Sequence, residues 1–456
     1  MTPPGEPPPS RLGTMIPQKL AAQADALASL VRERLHAPDE ADRYAALAGR
    51  QTDLSLWSGP SLSEGHAGIA LLHLHAARTT GDGEDQDRHR DRAFRFLRRA
   101  FQDTGENPLT HPGLFDGTAG LALVLSDCRQ DEPRFAASLD SLHDRLARQV
   151  LATSWPWREG MVSDHDYDVV YGAAGILSYL CATPHKNALL LQAIDHCLDY
   201  LIWLGQPQDG RRRPPRWTIA PDFYSPYGDR AVRYPHGCLD TGMSHGAAGI
   251  AAALATAWRE GFRRPGQRTA LSHVTSWLLE TGAAGDRDRE RRWRRAVPLS
   301  PEGHELTEAG EEAPPAWCHG TAGIAAALLG VADATGDRHL GADAFAAFEG
   351  VLARAAGRGA VVASPTVCHG LAGIVALCHE FASRGSTEAA ASLPVLVEEL
   401  LGRADPAHPL VFRDRETSGH VVDNPGLLTG SAGIAMTLQA VTTSHRPTWW
   451  KALFLQ

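Results

Sequence analysis

Two kinds of segment alternate along this chain, told apart by where their apolar side chains fall. In the first kind, at 22–35, 91–101, 135–151, 188–204, 268–279, 342–355 and 389–401, apolar residues recur at three- and four-residue steps with charges opposite. That is the spacing of a helix that buries one face. In the second kind the residues are apolar or small nearly all round, as in GIAAALLGVA from Gly323, and such helices belong in an interior. Strict alternation, the mark of half-buried strands, is nearly absent. Each segment of the second kind opens on one phrase: Gly, any residue, Ala, Gly, then Ile or Leu. It begins at Gly65, Gly117, Gly172, Gly246, Gly320, Gly370 and Gly430, at intervals of 52, 55, 74, 74, 50 and 60 residues.

A repeat this regular predicts one continuous body rather than the two or three domains that length alone suggests. Seven amphipathic helices outside and seven apolar helices inside close most simply into an all-α double ring, an (α/α)7 toroid. An open solenoid is the rival; it needs polar caps at its ends, and the last repeat, GSAGIAMTLQAV, is as apolar as the others. The glycines before each inner helix permit a tight turn and close backbone approach. Residues just before the first Gly are thus expected at one end of the ring, around its axis.

Residues 18–456 are read as this single ring domain, and the proline-rich stretch 1–17 as a disordered arm. Two stretches near 206–238 and 286–315 account for the two 74-residue intervals; they read equally as solvated loops or as lids over a site. A net charge of −9 with no Lys/Arg block gives no reason to expect nucleic acid. The longest apolar runs, such as 249–257, look too short to span a bilayer. Seven cysteines are an odd number at irregular spacing, which fits free thiols in a reducing cytoplasm better than a disulfide framework.

Chemistry concentrates at three of the phrases. Cys318, Cys368 and His369 stand one or two places before a Gly in consecutive repeats, so a ring brings them together across 50 residues. Two thiolates and an imidazole suit Zn²⁺ and leave a fourth position open. Buried structural cysteines are the bland reading, made weaker by the shared register. His319 leaves an alternative, since Cys-His-Cys-His also makes a closed four-ligand structural site. His245 holds the same register one repeat earlier, where a neutral imidazole serves as general acid or base. Asp168, four places before Gly172, is placed to orient such a histidine, though helix capping explains it as well. His66, His165, His236 and Asp116 read as structural or surface groups.

The phrases MSHGAAGI, WCHGTAGI and CHGLAGI, set in seven Gly-x-Ala-Gly repeats, resemble the LanC-type lanthipeptide cyclases, and the resemblance runs from about Leu56 to Leu438. It implies the (α/α)7 toroid and one zinc ion on Cys318, Cys368 and His369, with His245 and Asp168 as catalytic residues. His319 stands where members usually carry a Tyr that does not bind the metal, and Pro314 where they commonly carry an Arg. The implied reaction is zinc-dependent: a peptide cysteine thiolate adds to a dehydroalanine or dehydrobutyrine and closes a lanthionine or methyllanthionine ring. The implied partners are a dehydrated precursor peptide with its leader, a dehydratase and an export transporter, with the cyclase cytoplasmic or held peripherally at the membrane by them. Two rivals stand beside it. A zinc-stabilised scaffold would bind the peptide without catalysis. A glycoside hydrolase on a similar ring needs two carboxylates across a groove, and no such pair is expected at the rim.

Overall fold

The structure, a computed structural model, describes residues 15–455 apart from 53–55, 82, 158–161, 185, 209–212, 226–228, 286, 308–311, 359–361, 417–418 and 444. The expected disordered arm thus lies outside the described residues up to position 14, whereas Ile16 is buried. The apolar segments form seven helices, each starting directly after a phrase-opening glycine: α3 (His66–Thr79), α5 (Thr118–Asp131), α8 (Ala173–Ala182), α11 (Ala247–Arg259), α13 (Thr321–Thr335), α15 (Leu371–Ser383) and α17 (Ser431–Thr442). The amphipathic segments form α1 (Gln18–Arg34), α4 (Gly83–Asp103), α6 (Ala136–Ala152), α9 (Ala188–Gly205), α12 (Gln267–Thr281), α14 (Arg338–Arg358) and α16 (Thr387–Leu401). In α4 the buried residues His89, Arg92, Ala93, Phe96, Leu97 and Ala100 fall on one stripe, so its many charges stay outside. A further helix, α2 (Pro38–Thr52), and two single turns, α7 (Asp164–Tyr167) and α10 (Arg230–Arg233), complete the set.

Each inner helix touches the next, and α17 returns to α3, so the ring closes. From α4 onward every outer helix packs against the inner helix that precedes it, while α1 packs against α17 at the far end of the chain. The pairs are therefore inner-then-outer hairpins, the reverse of the order suggested by an outer helix coming first. α9 is long and apolar enough to cross a membrane by length and composition, which corrects the reading that no run was; here its buried face packs on α6, α8 and α12.

A belt of backbone hydrogen bonds ties the strips that lead into the inner helices. The N–H of Leu62 donates to Phe115 O (2.8 Å), Phe115 to Val170 O (3.1 Å), Val169 to Ser244 O (2.9 Å) and Ser244 to Cys318 O (3.0 Å). Cys318 then donates to Cys368 O (3.1 Å), Cys368 to Leu428 O (2.9 Å), and Leu427 back to Ser63 O (2.7 Å). Every strip is bonded to its two neighbours, and buried backbone groups need such partners. The belt sets the residues before the phrases, Glu64, Asp116, Tyr171, His245, His319, His369 and Thr429, around one end of the ring.

The second glycine of each phrase is required by this packing. A Cβ on Gly323 would lie 2.0 Å from the carbonyl oxygen of Trp317, and the carbonyl six residues back closes on the equivalent glycine in the other six repeats. Gly323→Ala is expected to lower stability by about 1–3 kcal/mol through overpacking, read as an earlier midpoint in urea with an unchanged slope.

Parts of the two insertions are built into the fold, while other stretches of both are exposed. Strand β1 (Cys238–Asp240) pairs antiparallel with β4 (Ala296–Pro298), joining the first insertion to the second. Trp217 and Trp293 are fully buried within them. Two shorter ladders, β2 (Ala283–Ala284) with β3 (Arg291–Arg292) and β5 (Asp414–Arg415) with β6 (Val421–Val422), are the other strand pairs among the described residues.

Candidate functional site

The most sharply defined pair at the rim is Asp168 with His245. A capping box at Ser163 starts the single turn α7, and Asp168 ends it, with its N–H on Asp164 O. Its side chain is fully buried; Oδ1 accepts the N–H groups of Tyr171 (2.6 Å) and Gly172 (2.8 Å), and Oδ2 lies 2.6 Å from His245 Nδ1. Asp168 therefore caps the entry to α8 and also orients the histidine. Burial alone would push the His245 imidazolium down, but the hydrogen bond and charge of Asp168 outweigh it and raise the ring to about 9. That direction favours the charged, proton-donating form of the ring over the neutral imidazole expected from the sequence. About a quarter of the side chain, 26%, stays exposed.

Cys318 and Cys368 come together through the belt, Cys318 N–H on Cys368 O. A hydrogen bond from Cys368 pulls the Cys318 thiol below its usual range against the opposing effect of burial, with His319, His369 and His245 adding positive potential. The same contact and burial push Cys368 upward. His369 places Nε2 3.1 Å from Asp414 Oδ1, on the β5–β6 ladder. Burial lowers this imidazole, but Asp414 more than compensates and brings it to about 8. Ser364 Oγ–H in turn donates to Asp414 (2.7 Å). A carboxylate behind an imidazole whose other nitrogen is free is the usual support for a metal-binding histidine. Two sulfurs and such a ring fit zinc as a donor set. Among the described residues, however, no group of three or more His, Cys, Asp or Glu side chains is already arranged to hold a metal ion.

His319 turns to the other side. Its Nδ1 is buried without a hydrogen-bond partner and lies 3.6 Å from Asp240 Oδ1, an electrostatic contact longer than a hydrogen bond. Its ring is 5.8 Å from that of His245. Gly320, which follows, has φ +97°, alone among the seven phrase-opening glycines in a backbone region that favours glycine. Pro314 contributes its carbonyl against Gly320.

Several groups here were missed from the sequence. Asp414, Asp240 and Arg230 lie outside the repeat register, and only the partner each one contacts reveals it. Glu64 and Asp116 stand in the register itself, so the expectation that no acidic pair occupies the rim is corrected. Both are engaged. Glu64 accepts from Thr429 N–H (2.9 Å) and Oγ–H (2.6 Å), and burial pushes its carboxyl up to about 7. Asp116 accepts from Ser61 (2.6 Å) and Ser63. His66 is buried beside Asp42 and Asp103, His165 packs on Tyr171, and His236 is exposed.

Known proteins share this architecture. A solved structure titled "Nisin cyclase" superposes with a TM-score of 0.71 at 22% identity, covering 91% of this chain and 97% of that one. In sequence, the chain is 24% identical over 344 residues to "Nisin biosynthesis protein NisC" of Lactococcus lactis subsp. lactis, spanning 75% of this chain and 77% of the relative. The profile of the family described as "Lanthionine synthetase C-like protein" matches residues 57–455. With the profile taking in all seven phrases and the rim they build, the chain belongs to the lanthionine synthetase C-like family.

Proposed function

We propose that the protein closes thioether rings in a dehydrated precursor peptide, by adding a peptide cysteine thiol across the Cα=Cβ bond of a dehydroalanine or dehydrobutyrine. The observation that carries this reading is the His245–Asp168 pair, 2.6 Å apart, set on the same rim as two adjoining cysteines and His369. Cys318, Cys368 and His369 would hold one zinc ion, which when bound favours the thiolate form of a peptide cysteine at neutral pH.

The remaining work falls to the chain's own side chains. As the C–S bond forms at the β-carbon, the electron pair of the double bond moves onto the neighbouring amide as an enolate. His245 is the acid placed to return a proton to the α-carbon, and Asp168 stabilises its charged form until it does. A groove of about 480 Å³ beside the rim, lined in part by His111, Trp155, His165 and Tyr171, offers the peptide an aromatic wall. The expected partners are the peptide with its leader, and a dehydratase and exporter that handle the same peptide.

The addition is an isomerisation, which makes the test direct. Zinc-loaded protein mixed with a dehydrated peptide is expected to remove titratable thiol while the peptide mass stays unchanged. Peptide that binds yet keeps its thiol would leave the scaffold reading in place of the enzyme.

A further inference from the structure

One side chain of the first insertion, Arg230, ties it to two acidic groups behind the rim. Arg230, on the single turn α10, places Nη1 2.7 Å from Asp164 Oδ2 and Nη2 2.9 Å from Asp240 Oδ2. All three groups are shielded from solvent, with side-chain exposures of 19%, 10% and 0%. Each carboxylate belongs to a different rim histidine. Asp164 starts α7, and its carbonyl takes the N–H of Asp168, which holds His245. Asp240 also accepts the Gly242 N–H (2.9 Å) and faces His319. With the two imidazoles 5.8 Å apart, one guanidinium spans the roots of both.

We infer that Arg230 is a positioning residue, which fixes through Asp164 and Asp240 the directions in which His245 and His319 face the reacting peptide. The inference rests on the cyclase reading above. Two of the guanidinium nitrogens hold the carboxylates of Asp164 and Asp240, which is the work of positioning rather than of catalysis. Its planar fork matters as well as its charge: a lysine supplies the same charge as a single point and cannot set two carboxylates at a fixed angle. This gives the first insertion a role that neither its composition nor its place between repeats indicates.

Arg230→Lys keeps a cation between the two acids and is the informative variant; Arg230→Met leaves two buried carboxylates unpaired and is expected to disturb the local fold. Zinc content and helical circular dichroism of Arg230→Lys should match the parent. Its kcat should fall by about 10-fold or more, toward the ~100-fold that small misplacements cost, with KM within about twofold. Asp240→Asn should show the same split, and the double variant should be no slower than the worse single, since the two act in series. Independently of turnover, histidine side-chain NMR signals of His245 and His319 in the zinc-loaded protein should move in Arg230→Lys while that of His369 stays. Parent-like kcat in Arg230→Lys, additive losses in the double variant, or unmoved His245 and His319 signals would each overturn the inference. Parent protein that consumes no thiol, with the histidine signals moving as expected, would instead overturn the cyclase reading and leave the positioning geometry standing.

Discussion

His245→Ala is expected to leave about one zinc per chain in place while ring closure slows by about 10²–10⁴-fold, the usual contribution of a positioned general acid. The separation of the two effects follows from the geometry. Nδ1 of His245 is held by a buried carboxylate 2.6 Å away, and the three-ligand set proposed for the zinc is complete without it. The pH dependence has a definite sign. Because Asp168 raises His245 to about 9, the acid form is present through neutral pH, and the rate of the parent enzyme should fall as pH rises through that value. Rates of parent and variant measured across pH 6–10 (an ordinary buffer range around a histidine raised from its usual ~6.5), with metal analysis of both proteins, check it. Loss of zinc from His245→Ala would make the histidine a ligand; unchanged rate would make it a structural histidine.

Cys318→Ala and Cys368→Ala are each expected to lose both the zinc and the activity while keeping the helical ring. Removing one of three ligands leaves a donor set too poor for tight binding at micromolar zinc. The ring itself survives because its core lies between the inner and outer helices, far more extensive than two thiols. Metal analysis after dialysis, alongside circular dichroism, separates the outcomes. Full zinc stoichiometry in both variants would show that the cysteines are not the ligands.

The parts of this molecule that were legible beforehand are those set by repetition. Gly323 and its six counterparts must be glycine because a carbonyl closes on each, so the same local packing demand recurs visibly in every phrase. That register also pointed to His245, Cys318, Cys368 and His369. What stayed hidden depends on contacts between distant segments. Asp414 supports His369 from a hairpin 45 residues later, and Arg230 reaches 66 residues back to Asp164. Neither carries a motif. The raised pKa of His245 is hidden for a related reason. A histidine in isolation titrates at ~6.5, and here the hydrogen bond and charge of Asp168 lift it against burial. Glu64 stands in register without a motif of its own, and Asp116, read as a structural or surface group, is bound by Ser61 and Ser63.

The docking of α1 on α17 has a further bearing, on how the protein is made. Arg34, at the end of α1, donates to the carbonyl of His408, 374 residues further along. A ribosome adding residues in order releases α1 long before its partner exists. Until α16 and α17 have emerged, the apolar stripe of Ala24, Ala28 and Val31 has nothing native to cover it. The belt likewise lacks its last link until Leu427 emerges to meet Ser63. The hairpins can assemble one after another on the growing chain, but the ring is an arc with two sticky edges until α17 and the strip before it have emerged. For that interval the nascent chain is the kind of client that chaperones shield.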